Sequence, residues 1–167
     1  NQILGAEILH YPEGEDEAGA DKALYERAEA LKAEGHVPYV IPLSEDHPPL
    51  GALGYVDAAH EILEEKGDFD IFVVASGSGA THSGLLAGLR GAGSQAAVIG
   101  SCVRRDKGLQ EARIGRIMTR LSELYDGAEK VQAKDIVIWD GALAPGYGQI
   151  GQVSQASMQM VAEQEGV

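Results

Sequence analysis

The chain has 167 residues and a formal net charge of −13, and 44% of its residues are hydrophobic and 23% charged. This length suits one domain with a substantial core or two small lobes, and the composition is typical of a soluble globular protein. The acidic balance argues against a nucleic-acid partner, because nucleic-acid phosphates would be repelled unless basic residues clustered on one face. The densest basic stretch, residues 104–107, is short, and we interpret it as a solvated helix entrance.

Neither a membrane segment nor a disulfide is expected. No apolar run is long enough to span a bilayer, and the first residues do not resemble a signal peptide. The single cysteine, Cys102, fits a reducing compartment, so a cytoplasmic location is predicted. Cys102 lies in an apolar run, which favours a buried structural thiol over a nucleophile. The five histidines show no metal-ligand spacing, and no metal site is assigned.

Strand-like and helix-like segments alternate along the whole chain. In chain order they are a strand at 7–11, a helix at 19–34, a strand at 37–42, a helix at 55–66, a strand at 70–75, a helix ending near Leu89, a strand at 96–103, a helix at 107–125, a strand at 136–139 and a helix at 153–165. Strands separated by single helices predict an α/β fold with a parallel sheet and helices on both faces.

A composition change divides the chain. Residues 44–54 are rich in proline and glycine and form the predicted connection between two lobes. Residues 1–43 are then the end of a small lobe, in the form of a βαβ unit. Residues 55–167 form the main α/β lobe.

Residues 71–84 are the most informative part of the sequence, because a buried strand runs there into a turn that opens a helix. Such a turn presents unpaired backbone N–H groups at the positive end of a helix dipole and can bind an anion. No Lys or Arg lies between residues 69 and 89, so the turn itself is expected to hold the charge of a phosphate-bearing ligand. Hydroxyl donors come from Ser76, Ser78 and Thr81, and Gly77 and Gly79 allow close approach of the backbone.

Comparison of the turn with known phosphate-binding motifs narrows the class of phosphate ligand that it could bind. A dinucleotide fits poorly, because His82 occupies the third glycine position of the fingerprint and residues 97–103 contain no acid. A P-loop is excluded, because no Gly-Lys-Ser/Thr follows. A phosphate monoester, as on pyridoxal phosphate or a sugar phosphate, suits the short turn better, and a plain packing turn is the alternative. His82 is expected to be a helix-start residue packed near the surface.

A second loop, residues 139–148, leaves another strand and places Tyr147 between two glycines. Glycines around a tyrosine can expose its hydroxyl in a cleft, where it can donate or accept a proton. The alternative is a tight turn with a packed aromatic ring. Both loops follow strand ends, which is where parallel sheets bind their ligands.

Three segments, residues 49–56, 75–84 and 144–148, occur together in this order, and residues 38–42 precede them. They resemble the pyridoxal-phosphate enzymes of the D-cysteine desulfhydrase and 1-aminocyclopropane-1-carboxylate (ACC) deaminase family, to which L-cysteate sulfo-lyase is a close relative. The resemblance covers essentially the whole chain. It implies part of a fold-type II, tryptophan synthase β-like enzyme.

The resemblance also implies site residues. The cofactor phosphate would be held by Ser76, Gly77, Ser78, Gly79, Ala80 and Thr81. Tyr147 would be the hydroxyl near the substrate. Ala80 replaces a glycine of the family, which is tolerable if its φ is negative and would crowd the phosphate if φ is positive.

Other family motifs have no counterpart in this sequence. None of the six lysines lies in a Gly-Asn-Lys-x-Arg-Lys type motif, so covalent attachment of the cofactor at the family lysine is not possible. The Ser-Asn-His motif and the later Asp-Pro-Val-Tyr segment are also missing. The chain is therefore expected to be a central segment of a longer, homodimeric enzyme and to be inactive alone. That enzyme would convert a small amino acid such as D-cysteine to pyruvate, ammonia and sulfide.

Two other functions remain open. The chain could be a non-catalytic phosphate-binding or oligomeric protein derived from such an enzyme, with apolar faces buried against a second copy. It could also be an unrelated α/β domain that binds a sugar phosphate.

Overall fold

The computed structural model describes residues 2–11, 17–67 and 69–166. The chain divides into two compact units, Asn1–His47 and Pro48–Val167. The helices are α1 (Glu17–Ala33), α2 (Leu50–Lys66), α3 (Ala80–Gly91), α4 (Lys107–Leu121) and α5 (Gln152–Glu165), and the strands are β1 (Ile71–Ser76), β2 (Ala97–Cys102) and β3 (Val137–Trp139).

In the first unit, the strands predicted at 7–11 and 37–42 are wrong, because both segments are irregular. A strand requires a partner for its backbone groups, and prolines within 37–42 remove two of the donors that a ladder needs. Val37 and Tyr39 are instead 98% and 82% exposed. The chain that follows is held by a buried side chain of α1, since the Asp21 carboxylate accepts hydrogen bonds from two consecutive backbone N–H groups, 43 and 44, at 3.0 and 2.9 Å.

The second unit contains a parallel sheet in the order β1-β2-β3, which confirms the predicted α/β class. Its covered face belongs to one hydrophobic core with the inner sides of α3 and α4. The core residues from these elements include Val98, Cys102 and Ile138 from the sheet and Leu86, Leu89 and Ile114 from the helices.

The opposite face of the sheet is open in the described part of the chain. Val73 is 71% exposed, and Ile71 and Trp139 are also exposed. Ile99 and Ser101, which pair with Val73 and Trp139 on this face, are only half-buried. The second layer of helices that the sequence predicted is therefore not supplied over this face by the described residues.

Two helix boundaries differ from the sequence prediction by more than two residues. Helix α2 begins at Leu50, inside the stretch predicted as a connection, with Pro49 as its N-cap residue. Helix α4 ends at Leu121 instead of 125. The chain turns there, with the N–H of Tyr125 bonded to the Leu121 carbonyl at 2.9 Å, and the Tyr125 hydroxyl reaches His60 Nε2 of α2 at 3.2 Å.

Helices α2 and α3 pack with their backbones in contact. A Cβ added at Gly88 would lie 2.7 Å from the Ala59 Cβ and 2.8 Å from the Val56 carbonyl oxygen. A Cβ at Gly84 would collide with the Ala52 carbonyl oxygen. These two glycines, one turn apart on α3, therefore permit the close approach and fix the helix that follows the glycine turn.

Candidate functional site

The glycine turn joins the end of β1 to the start of α3. Gly79 is the N-cap of α3 and has a left-handed backbone, with φ of 96°. A Cβ at this position would lie 2.7 Å from Ile117 Cδ1 of α4, so both conformation and packing require glycine. A Cβ at Gly77 would lie 3.0 Å from Val103 Cγ2, which is also tighter than ordinary contact. The turn is therefore pressed closely onto its neighbours.

Backbone N–H groups are available at the start of α3. The bond from Ser83 N to the Gly79 carbonyl, 2.9 Å long, closes the first turn, so the N–H groups of 80–82 precede the intrahelical bonds. Ala80 is the first helical residue, and no described non-glycine residue has a positive φ. Its φ is therefore negative, which is the condition under which alanine is tolerated in place of the family's glycine. Ser78 is exposed and Thr81 is half-buried. These two hydroxyl-bearing residues are adjacent in sequence to the residues whose N–H groups are available.

The carbonyl groups of the same turn accept hydrogen bonds from Arg105, which precedes α4, and from two residues within α4. Arg105 Nη1 donates to the Gly77 carbonyl at 3.0 Å, and Gln110 Nε2 donates to it at 3.1 Å. Arg113 Nε donates to the Ser78 carbonyl at 2.6 Å. This corrects one expectation: the basic stretch 104–107 is more than a solvated helix entrance, because Arg105 is bonded to the turn.

Sequence reasoning missed Gln110 and Arg113, although a signal was present. Both occupy positions of the apolar stripe that continues through Ile114 and Ile117, and both are buried. A polar residue at such a position indicates a buried polar contact, because burial without a partner is costly.

A buried polar network lies beneath the turn. The Ser76 hydroxyl accepts from Gln110 Nε2 at 2.9 Å and lies 3.3 Å from His82 Nδ1. Ser76 is therefore brought to the turn, but its hydroxyl is committed to the interior. His82 was expected near the surface and is instead fully buried, in space that exists because position 100 of β2 is glycine. Burial lowers the pKa of His82 to about 4, against a smaller opposing effect of the Val98 carbonyl, so the imidazole is neutral at pH 7.

The second predicted loop lies at the same edge of the sheet. Carboxyl ends of parallel strands meet at one edge, and β3 is two strands from β1, or about 10 Å away. Asp140, directly after β3, accepts from the N–H of Lys107 at 2.9 Å and ties this loop to the start of α4. Tyr147 is 71% exposed and lies between Gly146 and Gly148, which have positive φ. The loop therefore presents its tyrosine to solvent.

Three other features of the described residues concern the cysteine thiol, metal ligands and membrane-spanning helices. Cys102 is buried, as predicted, and burial raises the pKa of its thiol, with smaller effects of nearby carboxylates. No cluster of three or more potential metal ligands is found in the ranges 2–11, 17–67 and 69–166. Within the same ranges, no helix is long and apolar enough to cross a membrane.

Taken together, the parallel sheet and the glycine turn at its edge define an α/β protein with a site suited to a phosphate. The family described as pyridoxal-phosphate dependent enzymes matches residues 1–167. The chain belongs to this family, whose cofactor is pyridoxal phosphate.

Individual relatives agree with this assignment. The chain is 39% identical over 148 residues to a D-cysteine desulfhydrase of Klebsiella pneumoniae (strain 342), with 86% of the chain and 44% of the relative covered. It is 35% identical over 170 residues to a D-cysteine desulfhydrase of Serratia proteamaculans (strain 568), with 99% and 48% covered. A crystal structure of an ACC deaminase homologue superposes with a TM-score of 0.81 at 31% identity, over 99% of this chain and 50% of that one. The fold is thus that of fold-type II enzymes, and the chain spans about half the length of the curated relatives it matches.

The residues present fit the phosphate end of the cofactor. The Gly77 and Ser78 carbonyls are bonded to Arg105, Gln110 and Arg113, so these acceptors are not directed at an anion. A donor set of backbone N–H groups with two hydroxyls, on Ser78 and Thr81, is the chemistry that a phosphate monoester requires.

Proposed function

We propose that this chain binds the phosphate of pyridoxal phosphate through residues 76–81, as the phosphate-holding part of a lyase or deaminase that acts on a small amino acid. The main support for the proposal is that the carbonyl groups of the turn have hydrogen-bond donors, whereas its N–H groups at the helix start have no intrahelical acceptor. Its Gly77 and Ser78 carbonyls are bonded to α4, and its helix-start N–H groups remain for an anion. The names of the relatives, D-cysteine desulfhydrase and ACC deaminase homologue, support the reaction class.

Each residue has a separate role in this proposal. The N–H groups of residues 78–81 and the hydroxyls of Ser78 and Thr81 bind the phosphate. Ser76 supports the turn from below through Gln110 and His82. The Tyr147 hydroxyl, presented at the same edge, holds or moves a proton at the substrate. Bound pyridoxal phosphate supplies an electron-withdrawing ring that stabilises negative charge on an amino-acid carbon.

The proposed reaction of the complete enzyme is the one named for its relatives. D-cysteine and water would give pyruvate, ammonia and hydrogen sulfide, in which all atoms balance. Since none of the six lysines lies in the family motif, we propose that this chain does not carry out the reaction alone. A cytoplasmic location, proposed from the single buried cysteine, is compatible with this chemistry.

Absorption spectroscopy and sulfide release test the proposal together. The purified chain is incubated with pyridoxal phosphate, dialysed, and assayed with D-cysteine. Retained cofactor without sulfide release is the expected result. Loss of all cofactor on dialysis, equal to that from an unrelated protein, would refute phosphate binding. A yellow product that borohydride fixes to one lysine, with sulfide release, would refute the proposed inactivity.

The open sheet face favours a second candidate, a non-catalytic dimer of this chain that binds phosphate. Val73 and Trp139 are exposed on that face, and apolar patches of this kind mark association sites. Light scattering on the eluting protein would show a dimer that the substitution Val73→Lys converts to a monomer. The substitution Glu65→Gln, at an exposed position of α2, changes the net charge by the same one unit and is the matched control. A monomeric wild-type chain would exclude this candidate.

A further inference from the structure

We infer that Arg113, assisted by Arg105 and Gln110, is the positioning group that makes residues 77–79 an anion site. The inference rests on the proposed phosphate binding and adds a set of residues outside the turn. None of the three is expected to touch the ligand. Their role is to fix which way the peptide groups of the turn point.

The geometry of a trans peptide gives the reason. The C=O and N–H of one peptide group point in opposite directions. The Ser78 carbonyl points to Arg113 Nε at 2.6 Å, so the N–H of Gly79 in the same peptide points away from α4. The Gly77 carbonyl is held by Arg105 and Gln110, which fixes the N–H of Ser78 in the same way. The bonds to α4 thus aim two donors at the ligand side.

The position of Arg113 is unusual for an arginine. The residue is only 5% exposed, and a buried guanidinium is costly unless it is well bonded. Gln110, one helical turn before it, is fully buried and bonds both the turn and Ser76. Two large buried polar side chains on one face of α4 thus hydrogen-bond the same turn, which indicates that they hold its backbone in a fixed orientation.

Charge gives a second reason. The chain carries a net charge of −13, and the carboxylates of Asp140, Asp106 and Glu111 act on the buried Cys102 at the same edge of the sheet. An anion at the turn is repelled by this acidic surrounding. The Arg105 and Arg113 guanidinium groups, bonded directly to the turn, offset that repulsion and polarise its peptide groups, which strengthens the N–H groups as donors.

Isothermal titration with pyridoxine 5′-phosphate tests the inference, because this probe lacks the aldehyde that reacts with surface lysines. Arg113→Gln is expected to weaken binding about tenfold, as for the loss of one charge-assisted bond. Arg113→Lys should recover part of the affinity because it restores the charge. Arg120→Gln makes the same charge change seven residues further along α4, about 10 Å away, and should alter affinity less than about twofold. Unphosphorylated pyridoxine should show no difference among the variants.

Amide exchange of residues 77–80, followed by NMR without ligand, separates this inference from the proposed function. Arg113→Gln should raise exchange at Ser78 and Gly79, whereas Arg120→Gln should not. Unchanged exchange and unchanged affinity in Arg113→Gln would overturn the inference, even if the wild-type chain binds the probe. A wild-type chain that does not bind the probe would overturn both ideas. If Arg113→Gln does not fold, Arg105→Gln, at a half-buried position, must show the same pattern for the inference to stand.

Discussion

Acidification should destabilise the second unit through one residue, His82. This side chain is fully buried, and its pKa in the folded protein is lowered to about 4 by burial. In the unfolded chain it has the ordinary value of about 6.5. Between these values the unfolded state binds a proton that the folded state does not. The free energy of unfolding therefore falls as the pH drops from about 6.5 towards about 4, and below that it loses nothing more from this residue.

The size of the effect follows from the shift. A difference of about 2.5 pKa units corresponds to about 3 kcal/mol in full, of which about 2 kcal/mol is lost between about pH 7.5 and about pH 5. The carboxylates of Asp21 and Asp135 have lowered pKa values because hydrogen bonds outweigh their burial. Their stabilisation is lost only as the pH falls below the ordinary carboxylate value of about 3.8, outside this window.

Urea unfolding at several pH values, followed by circular dichroism, measures this loss. The control is His82→Gln, which cannot titrate but keeps an amide that can reach Ser76. The variant should be less stable at neutral pH, yet its stability should change by about 2 kcal/mol less than that of the wild-type chain over the same pH range. Equal pH dependence in both proteins would refute the reasoning, since the remaining histidines are shared.

Three further substitutions give expected outcomes. Gly79→Ala should cost roughly 1–3 kcal/mol in urea unfolding, because φ is 96° and a Cβ meets Ile117, and should abolish binding of pyridoxine 5′-phosphate; unaltered binding would contradict the geometry of the turn. Gly88→Val should cost at least about 2 kcal/mol by the same measurement, whereas Gly115→Val on α4, at a half-buried position where nothing lies within 4 Å of an added Cβ, should cost much less, because valine also has the higher helix propensity. Asp21→Asn should lower the free energy of unfolding of the first unit, because two backbone N–H donors lose a charged acceptor. A decrease in this free energy below about 0.5 kcal/mol would show that these two hydrogen bonds contribute little to stability.

The sheet and the glycine turn could be predicted because their signals are local. Apolar runs of strand length and a glycine cap are properties of neighbouring residues, and β1, the turn and α3 lie where the sequence placed them. The strands expected at 7–11 and 37–42 depended on partners elsewhere, which periodicity does not report. The family resemblance supplied the ligand, which composition alone left open between several phosphate esters.

The support of the turn could not be predicted in the same way. Arg105, Gln110 and Arg113 contact residues that are 28 to 35 positions away in sequence. No local pattern encodes such a distance. The burial of Gln110 and Arg113 could have been inferred from their positions on the apolar stripe, but their partners could not. The burial of His82 was missed for a related reason, since it depends on a glycine at position 100 of a neighbouring strand.

The backbone contact between α2 and α3 has a consequence for ligand binding. Gly84 and Gly88 allow α3 to pack directly against α2, and Arg113 of α4 is hydrogen-bonded to the turn that precedes α3. A helix held on both sides cannot slide or tilt to meet an arriving phosphate. The proposed phosphate site is therefore ordered before a ligand arrives, and we expect its association rate to be governed by diffusion and charge and not by a conformational step.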